Sequence, residues 1–257
     1  MQTIDFHIPE LDGMKHYPES LYYRGNTDLL KRRRVSIVGS RKPNQYTQQM
    51  TQRLASELSR VGICIVSGAA MGVDALAHRG AGADSTIAVL PCGIDLRYPA
   101  VNKPLLEGIE RQGLSISQFE PGFRAGEWSF VVRNELVVAL GEALIVSQAD
   151  IDSGSMRSVE YALQMGKKIY VLPHRIGESE GTNGLLEQGK AEAIYDIDRF
   201  VGKFGRVNSR IDKSNPFILF CAAQPTYEEA VAKFPGEIFE AELNGVIEVQ
   251  NGRVSVV

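Results

Sequence analysis

The sequence predicts an α/β protein with a mostly parallel sheet covered on both faces, followed by a small winged-helix-like domain. Three observations carry this. Short β-branched runs alternate with helix-spaced apolar stretches as far as Tyr195, the pattern of strands joined by crossover helices. Several of the runs end in loops of small residues, as strand ends facing a ligand do. Past residue 202 the alternation gives way to a polar, glycine-containing stretch and then to a different, compact pattern.

Taken in order, residues 35–38 (Val-Ser-Ile-Val) read as a buried strand ending in Gly39-Ser40-Arg41. Met50, Leu54, Leu58 and Val61 then fall on one face of a helix. Residues 63–66 (Ile-Cys-Ile-Val) form the second strand, followed by the loop Ser67-Gly68-Ala69-Ala70-Met71-Gly72-Val73-Asp74 and an alanine-rich helix to about residue 83. Further strands are predicted at 86–90, 114–117, 143–147 and 168–172, separated by helices at 103–111, 130–140 and 156–165. Residues 202–209 look like a linker, with the domains placed at 1–206 (after a short N-terminal extension) and 215–257 and the linker proper at 207–214. Helices at 217–221, 227–234 and 238–243 precede a hairpin, 246–249 and 253–256, turned by Asn251-Gly252. Three helices and a two-stranded wing are the parts of a winged helix.

Composition narrows the function. Of 257 residues 44% are hydrophobic and 23% charged, the balance of an ordinary globular protein. No apolar run of eighteen residues is present, and the first residues carry neither a basic nor an apolar export signal, so a cytoplasmic protein with no membrane partner is expected. Cys64, Cys92 and Cys221 lack C-x-x-C spacing, and His7, His16, His78 and His174 are scattered, so neither a disulfide nor a metal is expected. The net charge of −3 resides wholly after Val207, where four basic residues face seven acidic ones, which leaves the first 206 residues neutral and free to hold a local basic site.

Three loops have the composition of phosphate binders: Gly39-Ser40-Arg41, the Ser67–Gly68 loop through Gly72 to Asp74, and Ser153-Gly154-Ser155. Small residues let backbone N–H groups approach an anion, and Arg41 adds a guanidinium. Arg157 and Arg175 stand near the third loop as reinforcement. The second lacks G-x-G-x-x-G, so no nicotinamide or flavin cofactor is expected. Asp74 and His78 lie one helical turn apart; a capping carboxylate and a packed imidazole are the simpler reading than an acid–base pair. Phe123, Arg124, Trp128, Phe130 and Arg133 interleave aromatics with cations, as a surface for stacked bases does. The one basic run, Lys31-Arg32-Arg33-Arg34, reads as solvated charge ahead of a strand, with direct DNA contact the lesser alternative.

These stretches together resemble the DNA-processing protein A (DprA/Smf) family. The resemblance runs through Tyr17-Pro18-Glu19-Ser20-Leu21, Tyr23-Arg24-Gly25-Asn26, the Arg41 loop, the Ser67 loop to Arg79, Gly93-Ile94-Asp95 with Tyr98-Pro99, Phe130 with Arg133-Asn134, and Ser153-Gly154-Ser155. It implies an extended Rossmann-like fold and a binding protein, not an enzyme, that dimerises, holds single-stranded DNA and loads a RecA-type recombinase during natural transformation. The DNA site it implies is Gly39, Ser40, Arg41, Ser67, Gly68, Gly72, Asp74, Phe130, Arg133, Asn134, Ser153, Gly154 and Ser155. Where the family usually reads Phe-Pro-x-Arg-Asn, this chain has Phe130-Val131-Val132-Arg133-Asn134. The acidic C-terminal domain is expected to meet protein, not DNA. The alternative is a Rossmann-like nucleotide-binding or nucleotide-hydrolysing enzyme, against which Glu160 stands two positions too far from the Ser153 loop and no Pro-Gly-Gly precedes it. A purely structural dimerising adaptor would leave Arg41 and the aromatics unexplained.

Overall fold

Alternation of apolar residues along the strands builds the sheet. In this computed structural model, which describes residues 2–205, 215–243, 246–250 and 252–256, the central strands are β3 (Arg34–Val38), β4 (Cys64–Ser67), β5 (Thr86–Val89), β6 (Leu114–Ser117), β7 (Ala143–Val146) and β8 (Lys168–Val171). Val38, Cys64, Val66, Leu144 and Val146 pack on one face, while Val35, Ile37, Ile65, Ala143 and Ile145 pack on the other. Both faces are therefore apolar, and each must be covered.

The covering helices follow from the same sequence. Helix α1 (Gln45–Arg60) and α2 (Val73–Ala81) lie on the face of Ile37, with Leu54 and Leu58 fully buried. Helices α4 (Glu127–Leu140) and α5 (Ser155–Gln164) lie on the opposite face, and α3 (Lys103–Gln112) seals a third cluster through Leu106 and Ile109. Burial of each such aliphatic side chain stabilises by about 1.5–3 kcal/mol.

With β1 (Gln2–Thr3), β2 (Tyr22–Gly25) and β9 (Glu192–Ala193), the described sheet has nine strands in the order β1-β2-β6-β5-β4-β3-β7-β8-β9. From β6 to β9 all neighbours are parallel; β2 pairs antiparallel with β6, and β1 with β2. The strand at 22–25 was not expected from the sequence. The chain steps outward from β3 to β6 and returns to lay β7 beside β3, so the strand order reverses between those two. That reversal opens a crevice beyond their carboxyl ends.

Two segments complete this unit, α6 (Glu180–Glu187) and α7 (Ile197–Val201). Phe204 is buried against the same core as Phe200, so residues 202–205 belong to the first unit and are not the linker their polarity implied. The expected linker at 207–214 lies outside the described residues.

The chain divides into two units, 1–206 and 207–257. In the second, α8 (Pro216–Ala222), α9 (Tyr227–Lys233) and α10 (Glu237–Leu243) enclose Phe217, Cys221, Ala230 and Ile238 with the hairpin β10 (Ile247–Gln250) and β11 (Arg253–Val256). Thr226 caps α9 reciprocally with Glu229 and bridges to Arg253. Asn251, in the expected turn, lies outside the described residues.

Candidate functional site

The crevice between β3 and β7 is a cleft of about 300 Å³. Gly39, Ser40 and Arg41 form its edge at the end of β3, Gly68 and Asp74 its side, Phe130, Arg133 and Asn134 on α4 one wall, and Ser153, Gly154 and Ser155 the other. Three loops and one helix far apart in sequence thus converge where the strand order reverses. The Ser40 N–H donates to Gln148 O at 2.8 Å, tying the ends of β3 and β7 together across the crevice.

Arg41 supplies the accessible charge. Its guanidinium lies 5.2 Å from the Phe130 ring centroid and makes no ion pair among the described residues. Resting on an aromatic face positions the cation without neutralising it. On the opposite wall, the N-terminus of α5 opens on the cleft through Gly154 and Ser155, where the helix dipole favours an anion. Ser153 is partly engaged, its hydroxyl accepting from the Ser155 N–H at 3.3 Å. Arg157 lines the rim and pairs with Glu160 at 2.9 Å.

Arg133 has a different role. It is only 4% exposed, and its Nη1 donates to Gly68 O and to Val89 O, pinning the ends of β4 and β5 together. Its Nε donates to Asn134 Oδ1 at 3.2 Å, and both residues line the cleft. A Cβ at Gly68 would lie 2.5 Å from the Arg133 guanidinium, so that glycine is needed for the arginine to reach the carbonyls. Arg133 therefore shapes the floor, and Arg41 carries charge at the rim.

Asp74, buried in the first turn of α2, accepts from the Ala70 N–H at 3.2 Å. Burial raises its carboxyl above the usual range, while the nearby Arg133 cation opposes that rise. His78 is also buried; its Nδ1 meets Thr86 Oγ1 at 2.7 Å, and the Thr86 hydroxyl donates to Ile65 O. Burial, assisted by Arg133, pushes this imidazole down to about 3, so it is a neutral packed residue. Ser67 and Gly72 stand behind the cleft instead of lining it. The Ser67 hydroxyl donates to Ile37 O, and Gly72 supports the turn that carries Arg41.

The other sequence candidates divide. Phe123 stacks on Phe119 at 4.8 Å and anchors its loop, whereas Trp128 is 64% exposed. The basic run is absorbed by the fold: Lys31 pairs with Asp28, Arg32 bonds Gly62 O, Arg33 pairs with Glu142, and Arg34 is buried with Glu10 as its partner. Tyr98 and Met71, beside Phe130, are exposed large residues, each within a stretch that carries the family resemblance but neither among its implied site residues. Among the described residues no cluster of His, Cys, Asp or Glu is gathered to hold a metal ion, and no helix is long and apolar enough to cross a membrane.

A mostly parallel Rossmann-like sheet with a cleft at its switch point defines the class: a Rossmann-like α/β protein. Within that class, residues 5–205 match the family described as DNA recombination-mediator protein A, and the chain belongs to this DprA/Smf family. It is 35% identical to the DNA processing protein DprA of Streptococcus pneumoniae over 184 residues, covering 70% of this chain and 65% of that protein. Protein Smf of Synechocystis is 32% identical over 198 residues, covering 74% and 50% respectively. The chain therefore spans about half to two thirds of the length of these relatives. A solved structure of DNA processing protein A from Helicobacter pylori, described for its single-stranded DNA binding mode, is similar at a TM-score of 0.77 and 41% identity, covering 79% of this chain and 94% of that one. The structure of DprA from Streptococcus pneumoniae matches at 0.72 and 31%, covering 78% and 71%.

Proposed function

We propose that this chain binds single-stranded DNA in the switch-point cleft, as a carrier of the strand and not as a catalyst. One observation supports this above the others: Arg41, with no ion pair among the described residues, is held against Phe130 at the mouth of a cleft whose far wall is a helix N-terminus. That places a phosphate-seeking cation beside an aromatic ring, the two features a nucleic-acid strand without fixed sequence requires. Asp74 and His78 are engaged with Ala70 and Thr86, which favours binding over acid–base chemistry. Membership in the family, and the binding mode described for the Helicobacter pylori relative, support the same reading.

The test is anisotropy of a labelled single-stranded oligonucleotide at two salt concentrations. Binding should weaken with salt, and Arg41→Ala should weaken it by roughly 5- to 100-fold, the loss of one or two charge-assisted hydrogen bonds. A folded Arg41→Ala protein with undiminished affinity would move the site elsewhere.

The finer reading is a cytoplasmic homodimer that passes its strand to a RecA-type recombinase in natural transformation, with the second unit a winged helix that contacts protein. The family description as a recombination mediator supports the handover, which predicts that wild type, but not Arg41→Ala, speeds recombinase filament formation on DNA. For self-association, Ile151, Leu163 and Ile176 expose an apolar face along α5 and α6. Ile176→Asp is expected to yield monomers by light scattering; an unchanged mass would place the dimer contact elsewhere.

A further inference from the structure

Gln148 stands two residues past β7 and meets the Arg41 turn twice. Beyond the strand ends the pairing of β3 with β7 continues: the Ser147 N–H donates to Val38 O at 3.0 Å and the Ser40 N–H to Gln148 O at 2.8 Å. The second meeting is made by the side chain. The Asn44 N–H donates to Gln148 Oε1 at 3.0 Å, between residues 104 positions apart in sequence. One residue therefore holds both ends of the segment 40–44, by its backbone at Ser40 and by its amide at Asn44, with Arg41 between them.

The two ends are not equally secured by other means. Ser40 is also fixed through its own carbonyl, which accepts from the Val73 N–H at 3.1 Å. Asn44 is the N-cap of α1, where its side chain accepts from the Thr47 N–H at 2.8 Å. That bond joins Asn44 to the helix ahead of it and not to the sheet. Its own N–H lies outside the helix ladder, so its acceptor must come from elsewhere in the fold. Gln148 supplies it, half-buried and outside the lining of the cleft.

A cation on a turn anchored at one end samples many positions, and gripping a phosphate must then order the turn as well as the side chain. Anchored at both ends, the turn presents Arg41 in place, and less freedom is lost on binding. The Phe130 ring, 5.2 Å from the guanidinium, steadies the side chain but not the backbone that carries it.

We infer that Gln148 is a positioning residue of the site: through Asn44 its side-chain amide clamps the turn that carries Arg41 and raises the affinity of the cleft for phosphate without touching the strand. This rests on the proposed DNA-binding reading and deepens it, from the residue that grips a phosphate to what holds that residue in place.

The test is a double-mutant cycle read beside amide hydrogen exchange. Gln148→Met keeps the length of the side chain and removes the acceptor. It should weaken binding of a labelled oligothymidylate by about 3- to 10-fold, the scale of one neutral hydrogen bond. In an Arg41→Ala background the same substitution should change affinity by less than about 2-fold, because no cation is left to position. An equal loss in both backgrounds, or no loss in either, overturns the role. Exchange measured by NMR supplies a readout without DNA: the Asn44 amide should exchange faster in Gln148→Met, and as in wild type in Gln148→Glu, which keeps an acceptor oxygen. Unchanged exchange in Gln148→Met, or equally fast exchange in both variants, overturns the clamp whatever the affinities. If wild type binds no strand, the DNA-binding reading fails by itself, and the Asn44 exchange rates alone decide whether Gln148 holds the turn.

Discussion

Arg133→Met is expected to destabilise the first unit by about 3–5 kcal/mol, although methionine fills much of the same space. The guanidinium bonds Gly68 O and Val89 O, so its removal strips two strand-end carbonyls of their donor. It also leaves Asp74 buried without the cation that opposes its desolvation. Trp128 is the single tryptophan and lies in this unit, so its fluorescence during urea denaturation reads the relevant transition. The loss should depend on pH with a definite sign. The folded Asp74 carboxyl is raised above its ordinary 3.8, so its contribution is fully present below that value and is lost as pH rises through the folded one. Without Arg133 the folded value rises further, and the gap between variant and wild type should widen from acid toward neutral pH. Adding Asp74→Asn to Arg133→Met should recover part of the stability and flatten the profile. A loss below about 1 kcal/mol that does not change with pH would show that the buried arginine is not a strut.

That role for Arg133 marks where the sequence stopped being informative. The parallel strands were legible because both faces of the sheet are apolar, which forces runs such as residues 35–38 and 143–146. The loops Gly39-Ser40-Arg41 and Ser153-Gly154-Ser155 were legible because small residues at strand ends have few other uses. Tyr22–Gly25 was not, because its pairing with Leu114–Ser117 is a tertiary fact without a local pattern. Nor was α6, whose Gly181 and Gly184 weaken helix propensity; a Cβ at Gly181 would lie 2.7 Å from Ala149 O, so close packing there selects glycine. Charge was the least legible property. Arg41, Arg133 and Arg34 look alike in sequence, yet one faces solvent and two are buried donors to backbone carbonyls. Which of these an arginine becomes depends on whether unpaired carbonyls lie within its reach, and that is decided only once the strands have assembled.

The dependence of Arg41 on assembled structure gives the second large expectation. Gly72→Ala should cost on the order of 2–6 kcal/mol and weaken single-stranded DNA binding at least as much as Arg41→Ala, although Gly72 lies behind the cleft. Gly72 precedes α2 at φ 76° and ψ −127°, a conformation that L side chains avoid. An added Cβ would also sit 2.4 Å from Ser40 O and 2.6 Å from Arg41 O, against backbone that has no side-chain freedom with which to yield. Ser40 O accepts from the Val73 N–H at 3.1 Å, so pushing this loop away breaks the bond that sets its distance from α2. Strain and displacement separate by comparison with Gly62, which has φ +88° but open space around its Cβ position. Gly62→Ala should show the strain alone, on the order of 1 kcal/mol, with DNA affinity unchanged. If Gly72→Ala matched Gly62→Ala in both stability and affinity, contact with the Ser40–Arg41 turn would not be what holds the guanidinium at the mouth of the cleft. A larger loss in both would make the glycine behind the site as necessary to binding as the arginine in front of it.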